Sequence, residues 1–401
     1  MKNLFCCRKN TKVEHIRYKV KEMNNKKIKI YGIRWLIQAA EKAGWTIGGY
    51  KLAYEISGDI GLLALNITML IAATATSGLL NASNINFNWN IISNSVKLRV
   101  ISFLFFICAW QFEEIIFILC GGVFSGFYVG SFWPAFYKLQ HQSDMNFKVW
   151  NCFEKASGII LIMAAAFFVE WLGSGLLLIM SLSFLLFALI IISREEDIVH
   201  EEKENRVKNH LTFVDTFQYP AILAFLEGFL NNSISISRLV IILTGTITIS
   251  DQPEIISLGG IIAISTLIGA SVPGLLERII EDRFLVNVGL IITFISALML
   301  LFESTWFFGM IMITGGTAVL FPILKKEVEW GFEKLNLEGC PREYSRNQGR
   351  LFSNPILAVA WIVYGTIFST FIVIGSATIL IVFVWMNRPV WVEDEVEHNK
   401  N

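Results

Sequence analysis

Glu41 and Glu227 are acids set inside long apolar runs. A carboxyl withdrawn from water holds a proton more readily, so either one could exchange a proton near neutral pH. The alternative chemistry is a fixed ion pair, Glu41 with Lys42 or Arg238 and Glu227 with Arg34 or Arg238. Both acids belong to polar stripes. Arg34, Gln38, Lys42 and Trp45 share the offsets 0, 4, 8 and 11 with Glu227, Asn231, Ser235 and Arg238. Those offsets trace one face of a helix, with Glu41 at the edge of the first stripe. A charge that faced lipid there would be costly, so each stripe must line a cavity or pack within a bundle. Gln38, Glu41, Trp45, Asn231 and Arg238 are therefore candidate contacts for a small polar molecule. Trp45, Tyr128 and Trp133 could stack on it, with plain packing as the competing role. Glu227 and Glu41 are the candidate proton carriers.

Other chemistries lack their residues. There is no HExxH, no GxSxG and no cysteine–histidine cluster, so neither an enzyme nor a resident metal or cofactor is expected. Cys6, Cys7, Cys108, Cys120, Cys152 and Cys340 form no CxxC pair. His15, His141, His200, His210 and His398 all lie outside the apolar runs, which leaves no histidine to relay a proton within them. Net charge is zero, which points to neither a nucleic acid nor an acidic partner.

The elements that must position these residues are long and apolar. The chain is 54% hydrophobic and 16% charged, with 32 phenylalanines. Its apolar residues come in runs of membrane-spanning length, which predicts an all-α polytopic membrane protein in a lipid bilayer. Residues 1–29 carry ten Lys or Arg and read as a basic cytoplasmic tail. Spans one and two are expected at 30–57 and 61–80, with 81–99 as a polar loop. The run 100–137 is too long for one crossing and breaks at Glu113 and Glu114. Residues 156–193 hold spans five and six, broken at 170–175. The stretch 194–210 has ten charged residues out of seventeen and opens a linker, 194–216. Span seven is expected at 217–247, with Pro220 in its first turn, and span eight at 256–276. Spans nine and ten fill 285–324 and turn at 303–305, followed by a charged loop, 325–350. Spans eleven and twelve share 351–387, turning near Ser369 and Thr370. A tail, 389–401, follows.

This makes twelve spans. Putting the N-terminus inside leaves the outer turns, near Asp59, Glu113, Gly173, Asp251, Glu303 and Ser369, without Lys or Arg. Except for Arg34, Lys42, Lys51 and Arg238, every basic residue falls in an inner segment or at a span end. The outer turns are acidic, and an acidic mouth concentrates cations. Lys51 and Glu55 are spaced for a local salt bridge.

The halves resemble each other. Besides the shared stripe offsets, span four ends at Pro134 and Lys138, and span ten at Pro322 and Lys325. Gly121 and Gly309 precede the two prolines by equal distances. Duplication follows as the economical reading. Pro134 and Pro322 are expected to break or bend their helices, as paired elements of a gate. Gly122, Gly126 and Gly130 form a ridge suited to close helix packing.

The six-plus-six layout, the charged seam, the polar first helix of each half and the run GGVFSGFYVGSFWP of span four resemble the major facilitator superfamily of secondary transporters. The resemblance covers about residues 30–388. Gly274 to Arg283, with Glu277 and Arg278, is similar to that family's short charged gating loop. The segment 81–99 lacks the matching pattern, and span four opens on Glu113–Glu114 where many proton-driven exporters of the family carry arginine. The resemblance implies two pseudo-symmetric six-helix bundles, 30–193 and 217–388, that rock about a central site. It implies alternating-access movement of a small solute, with proton-coupled efflux of a cationic or amphipathic compound as the finer expectation. It also implies a multi-pass protein of the bacterial inner (plasma) membrane with both termini cytoplasmic. A sensor or scaffold of the same build that moves nothing is the other reading.

Overall fold

The computed structural model describes residues 30–82, 89–142, 173–193, 217–248, 282–302, 305–335, 337, 341–364 and 366–387. The basic tail, the linker 194–216, expected spans five and eight, and the Glu277–Arg278 loop lie outside the described residues.

The first crossing, α1, runs over 30–56 and is π-helical across Glu41–Gly49. It ends at Ser57 and at Gly58, whose φ of 57° and ψ of −146° suit a residue without a side chain. The second crossing, α2, occupies 59–82. Then come α3 (Trp89–Phe112), α4 (Ile115–Gln142) and α5 (Gly173–Ser193). The second half supplies α6 (Tyr219–Thr248), α7 (Asp282–Met299), α8 (Trp306–Lys334), α9 (Pro341–Tyr364) and α10 (Thr366–Met386). In the expected layout these ten helices are spans one to four, six, seven and nine to twelve. Two apolar cores hold them together: one, around Phe103, Phe106 and Phe132, is built on α1–α5 and also takes in Ile236 of α6 and Leu357 of α9; the other, around Leu230, Leu320 and Leu380, is built from α6, α7, α8 and α10.

The break at Glu113 is real: it adopts φ 56°, between the last residue of α3 and the first of α4. Three expected boundaries move. The polar loop 81–99 gives way to helix from Trp89, because Ser95, Arg99 and Ser102 turn inward onto α4. Ser95 meets the Ser131 hydroxyl at 2.7 Å, and Ser102 donates to the Gly121 carbonyl at 2.8 Å. The charged loop 325–350 is mostly helix, since α8 continues to Lys334 and α9 begins at Pro341, a residue whose fixed φ suits a first helical turn. The last turn falls between Tyr364 and Thr366 rather than near Ser369. Arg99, Lys325 and Arg342, which the sequence placed in connections, are buried within helices. Nor do the prolines break their helices, because α4 and α8 both run on past Pro134 and Pro322.

Close approaches set the helix pairs. A Cβ on Gly126 would lie 2.2 Å from the Met69 carbonyl oxygen, and one on Gly130 would lie 2.6 Å from that of Ala73, so the glycine ridge of α4 seats on the α2 backbone. Gly121 abuts Phe106 of α3, and Gly309 abuts Ser296 of α7 and Leu300 just beyond its end. Each of these glycines thus lies at the contact of its helix with the preceding one. Running senses agree with the layout as well. Along α6 and α9, Glu227 meets Arg342 and Asn232 meets Ser353, so these helices are parallel. Along α2 and α9, Asn66 meets Asn354 and Ser77 meets Asn347, so these are antiparallel.

Candidate functional site

The polar stripe of α1 closes on α3 and α4. The Arg34 guanidinium lies 3.7 Å from the Glu41 carboxylate and 4.1 Å from the centre of the Trp133 ring. Glu41 therefore pairs with Arg34; the Lys42 and Arg238 side chains lie outside the described residues. Deeper in the bundle, Arg99 of α3 is 1% exposed. Its guanidinium faces the rings of Trp45, Tyr128 and Phe103 at 4.7, 5.0 and 5.2 Å. Its Nη1 donates to the Ser125 hydroxyl at 2.6 Å. Among the described residues no carboxylate comes within ion-pair distance of it, and its buried Nε has no partner. The Glu41 carboxylate lies within its electrostatic reach.

These contacts place the sequence candidates. Trp45 and Trp133 each turn a face to a buried arginine, and Trp45 also meets Tyr50 edge-on at 5.3 Å. Tyr128 is fully buried and stacks on Phe132 at 5.0 Å. Its hydroxyl lies beside Glu41 without reaching good hydrogen-bond geometry. Gln38 is buried. Lys51 and Glu55 pair at 3.6 Å, and the Ser174 hydroxyl donates to Glu55 at 3.0 Å.

The stripe of α6 meets an arginine ladder on α9, in a segment whose charge content predicted a loop. Arg342, Arg346 and Arg350 recur every four residues, hence on one helical face. Arg342 donates through Nη2 to both Glu227 oxygens at 3.0 and 3.2 Å, and Arg346 Nε lies 3.2 Å from Oε1. Glu227 is thus paired not with Arg34 but with two guanidinium groups of α9. One turn on, the Asn231 amide oxygen, in the orientation that satisfies both ends of the group, accepts from Arg350 at 3.0 Å and Arg346 at 3.2 Å. Glu343 takes the other side of the ladder, 2.9 Å from Arg342 and 3.6 Å from Arg346, and Lys325 of α8 pairs with Glu329 at 3.7 Å. The regular arginine spacing behind Pro341 was the signal available to find this network. The side chain of Arg238 and the residues Glu277 and Arg278 lie outside the described residues.

Polar side chains join the two halves between α2 and α9. Tyr50 donates to the Asn66 amide oxygen at 3.2 Å, and Asn66 donates to that of Asn354 at 2.9 Å. Asn347 donates to the Ser77 hydroxyl at 3.3 Å, and Tyr344 packs on Gly78. Tyr50 stands in the fields of both Arg99 and Arg350. The arrangement is a set of ionised groups held inside two apolar cores, meeting at a polar junction.

No protein-family model and no curated protein matches the chain in sequence. Solved structures do match it in fold. A transporter of the major facilitator superfamily, FucP in the outward conformation, superposes with a TM-score of 0.61 at 9% identity, over 90% of this chain and 97% of that one. A bacterial homologue of the iron transporter ferroportin in an outward-facing state with soaked iron gives 0.63 at 13%, over 89% and 98%. The nucleoside transporter NupG gives 0.61 at 14%, over 90% and 99%. With its all-α build, its paired cores and these neighbours along nine-tenths of its length, the chain has the major facilitator superfamily fold.

Proposed function

We propose that the chain is a secondary active transporter that moves a small solute across a membrane by alternating access. One observation carries the reading: beside the apolar contacts of Ile236 and Leu357, buried hydrogen-bonded polar residues of α2 and α9 join the two halves. Hydrogen bonds of this kind can be exchanged for water or solute as the halves part. The halves of this proposal are 30–193 and 217–388, joined by the linker 194–216. The termini and linker face the cytoplasm of a bacterial inner membrane.

Of the two candidate carboxyls, Glu41 is the better proton carrier for a coupled cycle, of uptake or efflux. Glu227 is held by two guanidinium groups at 3.0 and 3.2 Å, which favours a fixed pair. Glu41 has its ion pair to Arg34 at 3.7 Å, is 15% exposed and sits on the π-helical stretch, a geometry frequent at functional sites.

Reconstitution tests the reading. Purified protein in proteoliposomes should exchange a labelled solute from a panel of neutral, anionic and cationic compounds, with saturation and counterflow. Binding without any flux across the panel would favour the sensor or scaffold alternative.

A further inference from the structure

We infer that the solute carries an oxyanion, a carboxylate or phosphate group, and that Arg99 and Asn354 receive it at the junction of the two halves. The inference rests on the transporter reading for the word solute, but the site itself is argued from buried donors.

Two buried donors flank the Tyr50–Asn66 hydrogen bond without partners among the described residues. Arg99 Nε is one, and Nδ2 of Asn354, a fully buried residue, is the other. Both lack an acceptor, and an oxyanion supplies several. Arg99 uses only its bond to Ser125 among the described residues, although a guanidinium carries five N–H groups in a fork that matches carboxylate and phosphate. The aromatic faces of Trp45, Phe103 and Tyr128 offset part of its burial cost but accept no strong hydrogen bond.

The charge count points the same way. Around Arg99, the described ionised groups are Arg34, Glu41 and Arg99 itself, and Glu41 is already engaged by Arg34. The trio is net positive. Arg350 adds a second positive field at Tyr50 from the α9 side. A cation brought to Tyr50 would meet repulsion from both, whereas an anion would be attracted by both. Asn354 is fixed in place through Asn66, and Arg99 and Asn354 belong to opposite halves. Acidic outer turns favour cations at the mouth, but they do not set the sign of the interior.

The test is ligand-dependent thermal stabilisation of the purified full chain. Succinate, glycerol 3-phosphate and inorganic phosphate are the anionic probes, with galactose and uridine as neutral probes and choline as the cation. The wild-type protein should be stabilised saturably by at least one anion and by none of the others. Arg99→Gln should weaken that binding at least tenfold, while Lys97→Gln, an exposed site on the same helix, should leave it unchanged. Should Arg99→Gln fail to fold, Arg99→Lys keeps the charge, loses the fork and should weaken binding several-fold. Stabilisation by neutral or cationic probes alone, or by none, overturns the inference, as does unchanged anion affinity in a folded Arg99 variant. Preference for succinate or for the phosphates separates the two oxyanion sources. Flux of galactose, uridine or choline without anion binding would overturn this inference and leave the transporter reading standing. Anion binding without flux would do the reverse.

Discussion

Arg342 holds Glu227 from a helix 115 residues away, with Nη2 3.0 Å from one carboxylate oxygen and 3.2 Å from the other. The pair ties α6 to α9 within the second half of the chain. Removing one member leaves the other charge buried, which costs about 3–5 kcal/mol. Glu227→Gln should therefore lower the melting temperature and the yield of folded protein, and Glu227→Gln/Arg342→Gln should recover part of the loss. A Glu227→Gln variant that melts like the wild type would show that the pair contributes no structure.

The same helix pair depends on two glycines. A Cβ on Gly228 would lie 2.0 Å from the Arg346 carbonyl oxygen, and one on Gly349 would lie 1.9 Å from that of Phe225. Backbone cannot yield as a side-chain tip can, so Gly228→Ala and Gly349→Ala should each cost about 1–3 kcal/mol. A methyl group on Gly375 of α10 would meet nothing within 4 Å, and Gly375→Ala should gain up to about 1 kcal/mol from helix propensity. Thermal denaturation of the three variants in one detergent checks the contrast.

Ser77 and Asn347 touch across the halves at 3.3 Å. In a background without the six native cysteines, Ser77→Cys/Asn347→Cys should form a short cross-link. Cross-linking should stop solute flux, and reduction should restore it. Undiminished flux in fully cross-linked protein would mean that α2 and α9 do not part during transport.

Membrane orientation is checked by labelling. Glu113 lies exposed in the α3–α4 turn, and His200 lies in the linker. Single cysteines at these sites should react with an impermeant reagent from opposite sides of intact cells and inverted vesicles. Reaction of both from one side would remove the proposed arrangement.

The spans were legible where apolar residues surround the whole helix, as in α4, α7 and α10. Glu227 was legible for the same reason, as an acid interrupting such a run. Its partners were not. Arg342, Arg346 and Arg350 share α9 with an apolar opposite side, and averaging along the chain makes that mixture look like a loop. Arg99 was hidden in the same way behind Ser93, Ser95 and Ser102. The Ser95 and Ser102 hydroxyls find partners across α3 and α4, and that of Ser93 finds none among the described residues. Polar groups that satisfy one another between helices leave no apolar signature on either helix. Distances between residues 115 apart cannot be read from local spacing, so Glu227 found its partners on α9, while Glu41 pairs with Arg34 of its own helix.

The junction of α2 and α9 also works as a lever. Asn66 and Ser77 are separated by eleven residues, about 16 Å along the helix axis. With Asn66 and Asn354 as fulcrum, a turn of about 10° would carry Ser77 and Asn347 about 3 Å further apart, enough to lose their hydrogen bond. The fulcrum bond would survive that turn while the distal one breaks. Leverage of this kind amplifies an angular change too small to disturb either core into a displacement wide enough to admit water.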